Sequence, residues 1–370
     1  MEIIRPELPQ NCRAICISDI HANLKHFKLL LEKSQYNKDK DYLFILGDIV
    51  EKGKDNLDTV RFVMELCRSE KAVCIKGNND TMCDRMAFYD SKERFLERIK
   101  SRPHNTFTEM GKNIGIDDFG EAFEEKRKKV IDAFKDELEF MRRLPLAIET
   151  NDFIFIHAGI ENRPDWENTS ERFALTQPWY LRLEHHSPKT VVCGHYPTYN
   201  YKRANNTCLP IFDNEKRMIC IDGGASTKCA AQLNALIINY RSGSYTCETV
   251  FVPLGEEKTV VSSVRSDCKP VQVDWENHTL TVIERQADFL YVQIDQTGER
   301  GLIPESRTGY WDGKLHGWVN LNAFLSARFG ERFYVSAETE EYYLGIAENA
   351  QVGLLPKSCF ASDKKTDAKG

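Results

Sequence analysis

Several absences narrow the reading of this chain before any motif is considered. Its first residues, Met1-Glu2-Ile3-Ile4-Arg5-Pro6, carry no apolar core of a secretory signal. No apolar run approaches the roughly 18–20 residues of a membrane helix, so no membrane partner is expected and the cytoplasm is the expected location. Twelve cysteines occur without one Cys-x-x-Cys pair, which removes zinc-ribbon and dithiol redox chemistry. Cys16, Cys74, Cys193 and Cys220 lie inside apolar stretches and read as buried, reduced thiols. Positive charge is not in excess either. A net charge of −6 gives no reason to expect nucleic acid as a partner.

What the chain does contain is five apolar runs, each ending in a short polar signature. After Ala14-Ile15-Cys16-Ile17 comes Ser18-Asp19-Ile20-His21, and after Tyr42–Ile45 and Leu46 comes Gly47-Asp48-Ile49-Val50-Glu51-Lys52-Gly53. Three more follow: Gly77-Asn78-Asn79-Asp80, His157-Ala158-Gly159 and Gly194-His195. Short β-rich apolar runs read as buried strands, and ligands of α/β folds gather outside the carboxyl ends of strands. Imidazole, carboxylate and amide donors together suit Mn, Fe or Zn better than Ca or Mg. Two ions about 3.5–4 Å apart can clamp both oxygens of a phosphoryl displacement. A shared carboxylate would screen their repulsion, and Asp48 is the candidate bridge.

The five signatures in this order resemble the phosphoprotein phosphatase family of calcineurin-like metallophosphoesterases, in its bacterial type, over roughly residues 10–255. Leu144-Pro145-Leu146 and Ile221-Asp222-Gly223-Gly224 extend the likeness. The resemblance implies an α/β fold: a metallophosphoesterase β-sandwich flanked by helices. It implies Asp19, His21 and Asp48 on one divalent ion, and Asp48, Asn78, His157 and His195 on the other, with Mn the first expectation. Lys52 and Arg182, from Trp179-Tyr180-Leu181-Arg182, are expected to bind substrate phosphate beside Asn78. The activity implied is metal-dependent phosphomonoester hydrolysis, with serine/threonine phosphoproteins or phosphopeptides as the first substrate class. Dinucleoside polyphosphate hydrolysis, phosphodiester hydrolysis and a low-turnover phosphate-binding scaffold are the alternatives.

Three departures from the family pattern matter. Ser18 and Ala22 replace glycines, and Glu51-Lys52 replaces Asp-Arg, giving a point charge in place of a guanidinium fork. Asn79 stands where the family has the His that protonates the leaving oxygen, and an amide is no general acid at neutral pH. Asn79 and Asp80 are therefore the positions on which catalysis is expected to turn, with Asp80 placed to orient an imidazole ring at position 79.

The rest of the chain supplies context. Asn23 and Asp55 are expected to cap helices carrying Phe27, Leu30 and Leu31, and Leu57, Val60 and Val63. Residues 81–143 are charge-rich, with helices expected over 91–100 and 121–143, and form an insert in the catalytic domain 1–255. Residues 218–221, 233–240 and 245–252 read as the second sheet. A polar linker is expected over 254–270. Beyond it, Gly301-Leu302-Ile303-Pro304 echoes Gly353-Leu354-Leu355-Pro356 at an offset of 52 residues. Each echo closes a β-rich stretch and resembles the end of an SH3-like barrel. Two C-terminal all-β SH3-like barrels, 271–310 and 311–361, are the expectation, as a separable module for a peptide or protein ligand.

Overall fold

A computed structural model of the chain describes residues 1–201 and 206–361; the tail 362–370, expected to be disordered, lies outside them. The chain forms two units. One comprises Met1–Thr198, Leu209–Thr227 and Leu233–Val252, the other Tyr199–Cys208, Lys228–Gln232 and Pro253–Gly370.

In the first unit the chain runs β1 (Ile3–Ile4), β2 (Cys12–Ile17), α1 (Leu24–Lys33), β3 (Tyr42–Ile45), α2 (Asn56–Leu66) and β4 (Ala72–Cys74). The helical insert follows as α3 (Asp80–Phe88), α4 (Lys92–Ser101), α5 (Thr106–Asn113), α6 (Phe123–Ala133) and α7 (Lys135–Arg142). The second half contains β5 (Ala147–Glu149), β6 (Phe153–Ile156), α8 (Glu171–Thr176), β7 (Thr190–Cys193), β8 (Ile211–Asp213), β9 (Met218–Cys220), β10 (Ala231–Arg241) and β11 (Ser244–Leu254).

Two sheets result, in the orders β11-β10-β2-β3-β4 and β1-β5-β6-β7-β9-β8. This corrects the expected second sheet. β9 pairs parallel with β7, whereas β10 runs antiparallel against β2 in the other sheet. The reason lies in β10: eight consecutive buried residues suit it to a place inside a sheet covered on both faces. Alternate residues of the strands meet between the sheets, where Ala14, Cys16, Phe44, Phe155, Val192 and Leu236 belong to one core. Phe44 and Phe155 pack there at 4.9 Å between ring centroids.

The insert has its own small core. Phe95 lies 5.4, 5.1 and 5.0 Å from the rings of Phe107, Phe119 and Phe123. Ser91 caps α4 by accepting from Arg94 N–H, while the expected helix over 121–143 divides into α6 and α7 at the buried Phe134. Neither Asn23 nor Asp55 caps by its side chain. Asn23 Nδ2 donates instead to the carbonyls of Ile20 and His21, at 2.8 and 2.9 Å. At α2 the capping acceptor comes from the insert: Glu109 takes Asn56 N–H and Leu57 N–H at 3.1 and 2.9 Å.

The second unit holds β12 (Glu256–Thr259), β13 (Thr279–Gln286), β14 (Phe289–Ile294), β15 (Arg300–Pro304), β16 (Thr308–Trp311), β17 (Lys314–Gly317), β18 (Arg332–Glu338), β19 (Tyr342–Ala347) and β20 (Val352–Pro356). Its sheets are β15-β14-β13-β17-β16 and β12-β18-β19-β20. The sequence echo has a structural counterpart. β13–β15 and β18–β20 are both antiparallel meanders with an irregularity in the first strand, at Val282/Glu284 and at Val335/Ala337. Each ends in Gly-Leu-x-Pro and a single 3-10 turn, Glu305–Arg307 or Lys357–Cys359.

The boundaries differ from the expected ones. β16 and β17 complete the first sheet, so a division at 310/311 would cut a strand, and β12 within the expected linker pairs with β18. Leu280, Val292 and Ile303 share a core with Leu344, Ile346 and Leu354, and Tyr199, Cys208 and Ala230 join it. No helix among the described residues is long and apolar enough to cross a membrane.

Candidate metal centre

The polar residues meet because each strand end turns sharply into a loop. Asp19, His21, Asp48, Lys52 and His195 all have left-handed backbone, with φ of 53, 47, 51, 66 and 66°. Such φ values are costly outside glycine and persist only where the surroundings fix them. Here main-chain hydrogen bonds do so: Asp19 N–H donates to Gly47 O at 3.1 Å, and His21 N–H to Asp48 O at 2.9 Å. Close approach adds a demand for glycine. A Cβ on Gly77 would lie 2.1 Å from Asp48 N, and one on Gly194 would lie 2.2 Å from Asp19 Oδ2.

Six side chains expected as ligands converge. One ligand atom each from Asp19, His21 and Asp48 lies within 4.8 Å of the others, and the same holds for Asp48, His157 and His195. Asp48 belongs to both groups, as a bridge must. Its Oδ2 is 3.7 Å from His21 Nε2, and its Oδ1 is 3.5 Å from His157 Nε2. Asn78 joins the second group, its Oδ1 standing 3.0 Å from His157 Nε2 and 2.8 Å from His195 Nδ1.

The donors fit divalent transition-metal ions. His157 Nδ1–H donates to Leu46 O at 2.8 Å and His21 Nδ1–H to Val50 O at 3.2 Å, which leaves each Nε2 as the ligating atom. Asp19 Oδ2 accepts from Ser18 Oγ and His195 N–H, while its buried Oδ1 has no hydrogen-bond partner. At His157 Nε2, acceptor atoms of Asn78 and Asp48 face a third acceptor, a meeting that needs a cation or an additional proton. Burial opposes that proton, yet Asp48 and Asp19 push the His157 pKa up.

The neighbouring charges follow the same logic. Burial holds His21 and His195 down to about 3, keeping both neutral, the form that binds a metal. Burial raises the Asp19 carboxyl to about 6. At Asp48 burial also resists ionisation, but its cationic neighbours, His157 first and Lys52 with it, prevail and hold it below the usual carboxylate range. Lys52 Nζ lies 3.2 Å from His21 Nε2, so the ammonium does reach the centre.

Asp80 does something other than orient Asn79. Its carboxylate accepts from the backbone N–H groups of Asp48, Ile49 and Gly77, at 2.9, 2.9 and 2.8 Å, and so fixes the Asp48 loop. Asn79 Nδ2 donates to Asp48 Oδ2 at 2.6 Å, placing the amide beside that carboxylate. Arg182 is exposed; its guanidinium covers the Trp179 ring at 3.5 Å, and that ring packs 4.3 Å from Tyr196, the neighbour of His195. His185 and His186 lie against Arg217 O and Asn162 Oδ1.

Three further contributions come from the insert. Glu51 Oε1 accepts from Thr106 N–H and Oγ at 3.0 and 2.6 Å, and Glu109 braces α2. Arg102 Nη1 donates to Asn79 Oδ1 at 2.8 Å. The only local sequence signal was Pro103, which marks the loop after α4 without saying where it leads.

A model of the family described as calcineurin-like phosphoesterase matches residues 12–223. A protein named bis(5'-nucleosyl)-tetraphosphatase, symmetrical, from Buchnera aphidicola subsp. Acyrthosiphon pisum (strain Tuc7) is 44% identical over 64 residues, covering 17% of this chain and 23% of its own. The protein of the same name from Aliivibrio fischeri (strain ATCC 700601 / ES114) is 29% identical over 178 residues, 45% of this chain and 55% of the relative. The chain thus spans between about a quarter and about half the length of these two relatives. A solved serine/threonine protein phosphatase from Saccharomyces cerevisiae aligns with a TM-score of 0.41 at 13% identity, covering 73% of this chain and 86% of the other.

Proposed function

We propose that this chain, which belongs to the calcineurin-like phosphoesterase family, is a hydrolase of phosphoanhydrides, with dinucleoside polyphosphates as its first substrate class. The observation that carries this reading is Asn79. A buried amide beside the bridging carboxylate cannot protonate a departing alkoxide, which a serine or threonine phosphoester requires. A leaving phosphate needs no such proton at neutral pH. The relatives named as tetraphosphatases agree with that substrate class.

Two divalent ions, Mn in the first instance, would be held by Asp19, His21 and Asp48 and by Asp48, Asn78, His157 and His195. When bound they supply Lewis-acid polarisation of phosphoryl oxygens and a water acidified towards neutrality. Lys52 places a positive charge over the centre, and Arg182 binds a phosphoryl oxygen from the Trp179 side. Asp80 keeps the Asp48 loop in place for both groups.

The duplicated meanders of the second unit are SH3-like repeats in this reading. They serve to bind a peptide through the exposed Tyr310, Trp311 and Trp318, the two tryptophan rings lying parallel within 7°. The buried thiols suit a cytoplasmic location.

Turnover of diadenosine tetraphosphate, nitrophenyl phosphate and a phosphoserine peptide by the Mn-loaded protein tests the assignment. The first two should be hydrolysed and the peptide poorly. Asn79→His should raise peptide turnover by about 10²–10⁴, the range of general acid catalysis, and the others far less. Comparable turnover of all three by the unaltered protein would favour the phosphoprotein reading.

A further inference from the structure

Arg102 has no part in the centre as assigned above, yet it is tied to it. It follows the last turn of α4 and precedes Pro103, which has no N–H to extend the helix. Its Nη1 donates to Asn79 Oδ1, with Met82 Sδ at 3.8 Å. Asn79 passes the contact on, because its Nδ2 donates to Asp48 Oδ2. Guanidinium, amide and bridging carboxylate thus form one line leading from the insert to the metal ligands.

The two ends of that line differ in environment. Asp48 and Asn79 are 1% and 4% exposed, whereas Arg102 is an exposed residue. A guanidinium has five N–H donors in a rigid plane. Among the described residues, Asn79 Oδ1 is the one oxygen or nitrogen acceptor hydrogen-bonded to the Arg102 side chain, and the Glu51 carboxyl lies within its electrostatic reach. Arg102 thus stands one amide group beyond Asp48 and is itself exposed. Lys52, by contrast, stands at the centre itself, 3.2 Å from His21 Nε2.

We propose that Arg102 is a specificity residue that grips the phosphate adjacent to the one attacked, the leaving phosphate of an anhydride chain. This rests on the phosphoanhydride reading above. In the reaction, water oxygen forms the new bond to phosphorus and the P–O bond to the bridging oxygen breaks. The bond's electron pair stays on that oxygen, and the water proton passes to solvent. Negative charge therefore grows on the leaving phosphate, where a planar guanidinium can take two of its oxygens at once. A fixed cation anchored by Asn79 stabilises the leaving group in place of a proton.

Inhibition of nitrophenyl phosphate hydrolysis by orthophosphate and by methylenediphosphonate, at fixed free Mn, separates the two phosphate positions. Arg102→Ala should raise the inhibition constant of the diphosphonate by about 10- to 100-fold, the loss expected for charge-assisted hydrogen bonds. The orthophosphate constant should rise much less, and Arg102→Lys should recover part of the loss. Thermal melting and direct calorimetric binding of the diphosphonate accompany each variant, so that misfolding is recognised. Equal rises for both inhibitors would show that Arg102 merely positions Asn79, and no rise for either would remove it from the site; both outcomes overturn the proposal. A selective loss of diphosphonate binding in a protein that leaves diadenosine tetraphosphate intact would support Arg102 and sink the anhydride reading alone.

Discussion

The strand-end loops and the helical insert both reach Asp48, and they hold it in different ways. The loops act through the main chain: left-handed residues, tight glycine contacts and backbone N–H groups gathered on Asp80. Beyond Asp80, the insert acts mostly through side chains at three points: Arg102 on Asn79, Thr106 on Glu51 (where its N–H also donates) and Glu109 on the start of α2. A position fixed by the backbone tolerates little change. A position braced by a neighbouring side chain can be retuned by one substitution.

The largest effect expected from breaking the loop side is at the bridge. Asp48→Asn should lose both ions or bind them more than about 10²-fold more weakly, beyond the 10–100-fold typical of residues outside the ligand set. Metal analysis after dialysis decides this, and retention of two ions per chain would rule out the bridging role. A smaller effect is expected one step away, at Asp80→Asn. The amide NH₂ would face backbone donors that now meet carboxylate oxygens, costing about 3 kcal/mol of stability and lowering metal affinity. A variant with unchanged melting and metal content would leave Asp80 without a structural purpose.

The insert side should give the gentlest response, visible as a pH dependence. Burial raises the Glu51 carboxyl from its ordinary 4.5 to about 7, despite the hydrogen bonds from Thr106. A raised folded-state pKa means the contribution is complete below about 4.5 and is lost as pH rises through about 7. Glu51→Gln, which carries no charge to bury, should therefore gain melting temperature relative to the unaltered protein between pH 5 and 8. A difference that stays constant over that range would mean Glu51 remains ionised throughout.

The contrast also explains what could be read from the sequence. Asp19, His21, Asp48, Asn78, His157 and His195 were legible because each sits one to four residues past an apolar strand, a distance too short for the fold to redirect. The catalytic domain as an α/β sandwich followed from the same strands. Which sheet each strand joins did not, since strands buried on both faces show no alternation to mark a side. Arg102 and Glu109 were illegible because they depend on how α4 and α5 are stacked by Phe95 and Phe107, and their own surroundings in sequence, Lys100-Ser101-Arg102-Pro103 and Phe107-Thr108-Glu109-Met110, carry no motif. In the second unit Gly-Leu-x-Pro announced the duplication, while β12, spelled Glu256-Glu257-Lys258-Thr259, looked like linker.

The threading of the chain bears on how this protein can have been inherited. It passes between the two units at 198/199, 208/209, 227/228, 232/233 and 252/253, rather than once. Tyr199, Cys208 and Ala230, contributed from within the catalytic stretch, are buried in the core of the second unit. A recombination event that transplanted residues 253–370 would arrive without these three side chains and strand them in the donor. The duplicated meanders are thus not a cassette to be shuffled among enzymes. They can diverge only together with the phosphoesterase that threads through them, and any ligand they acquire is inherited with its active site.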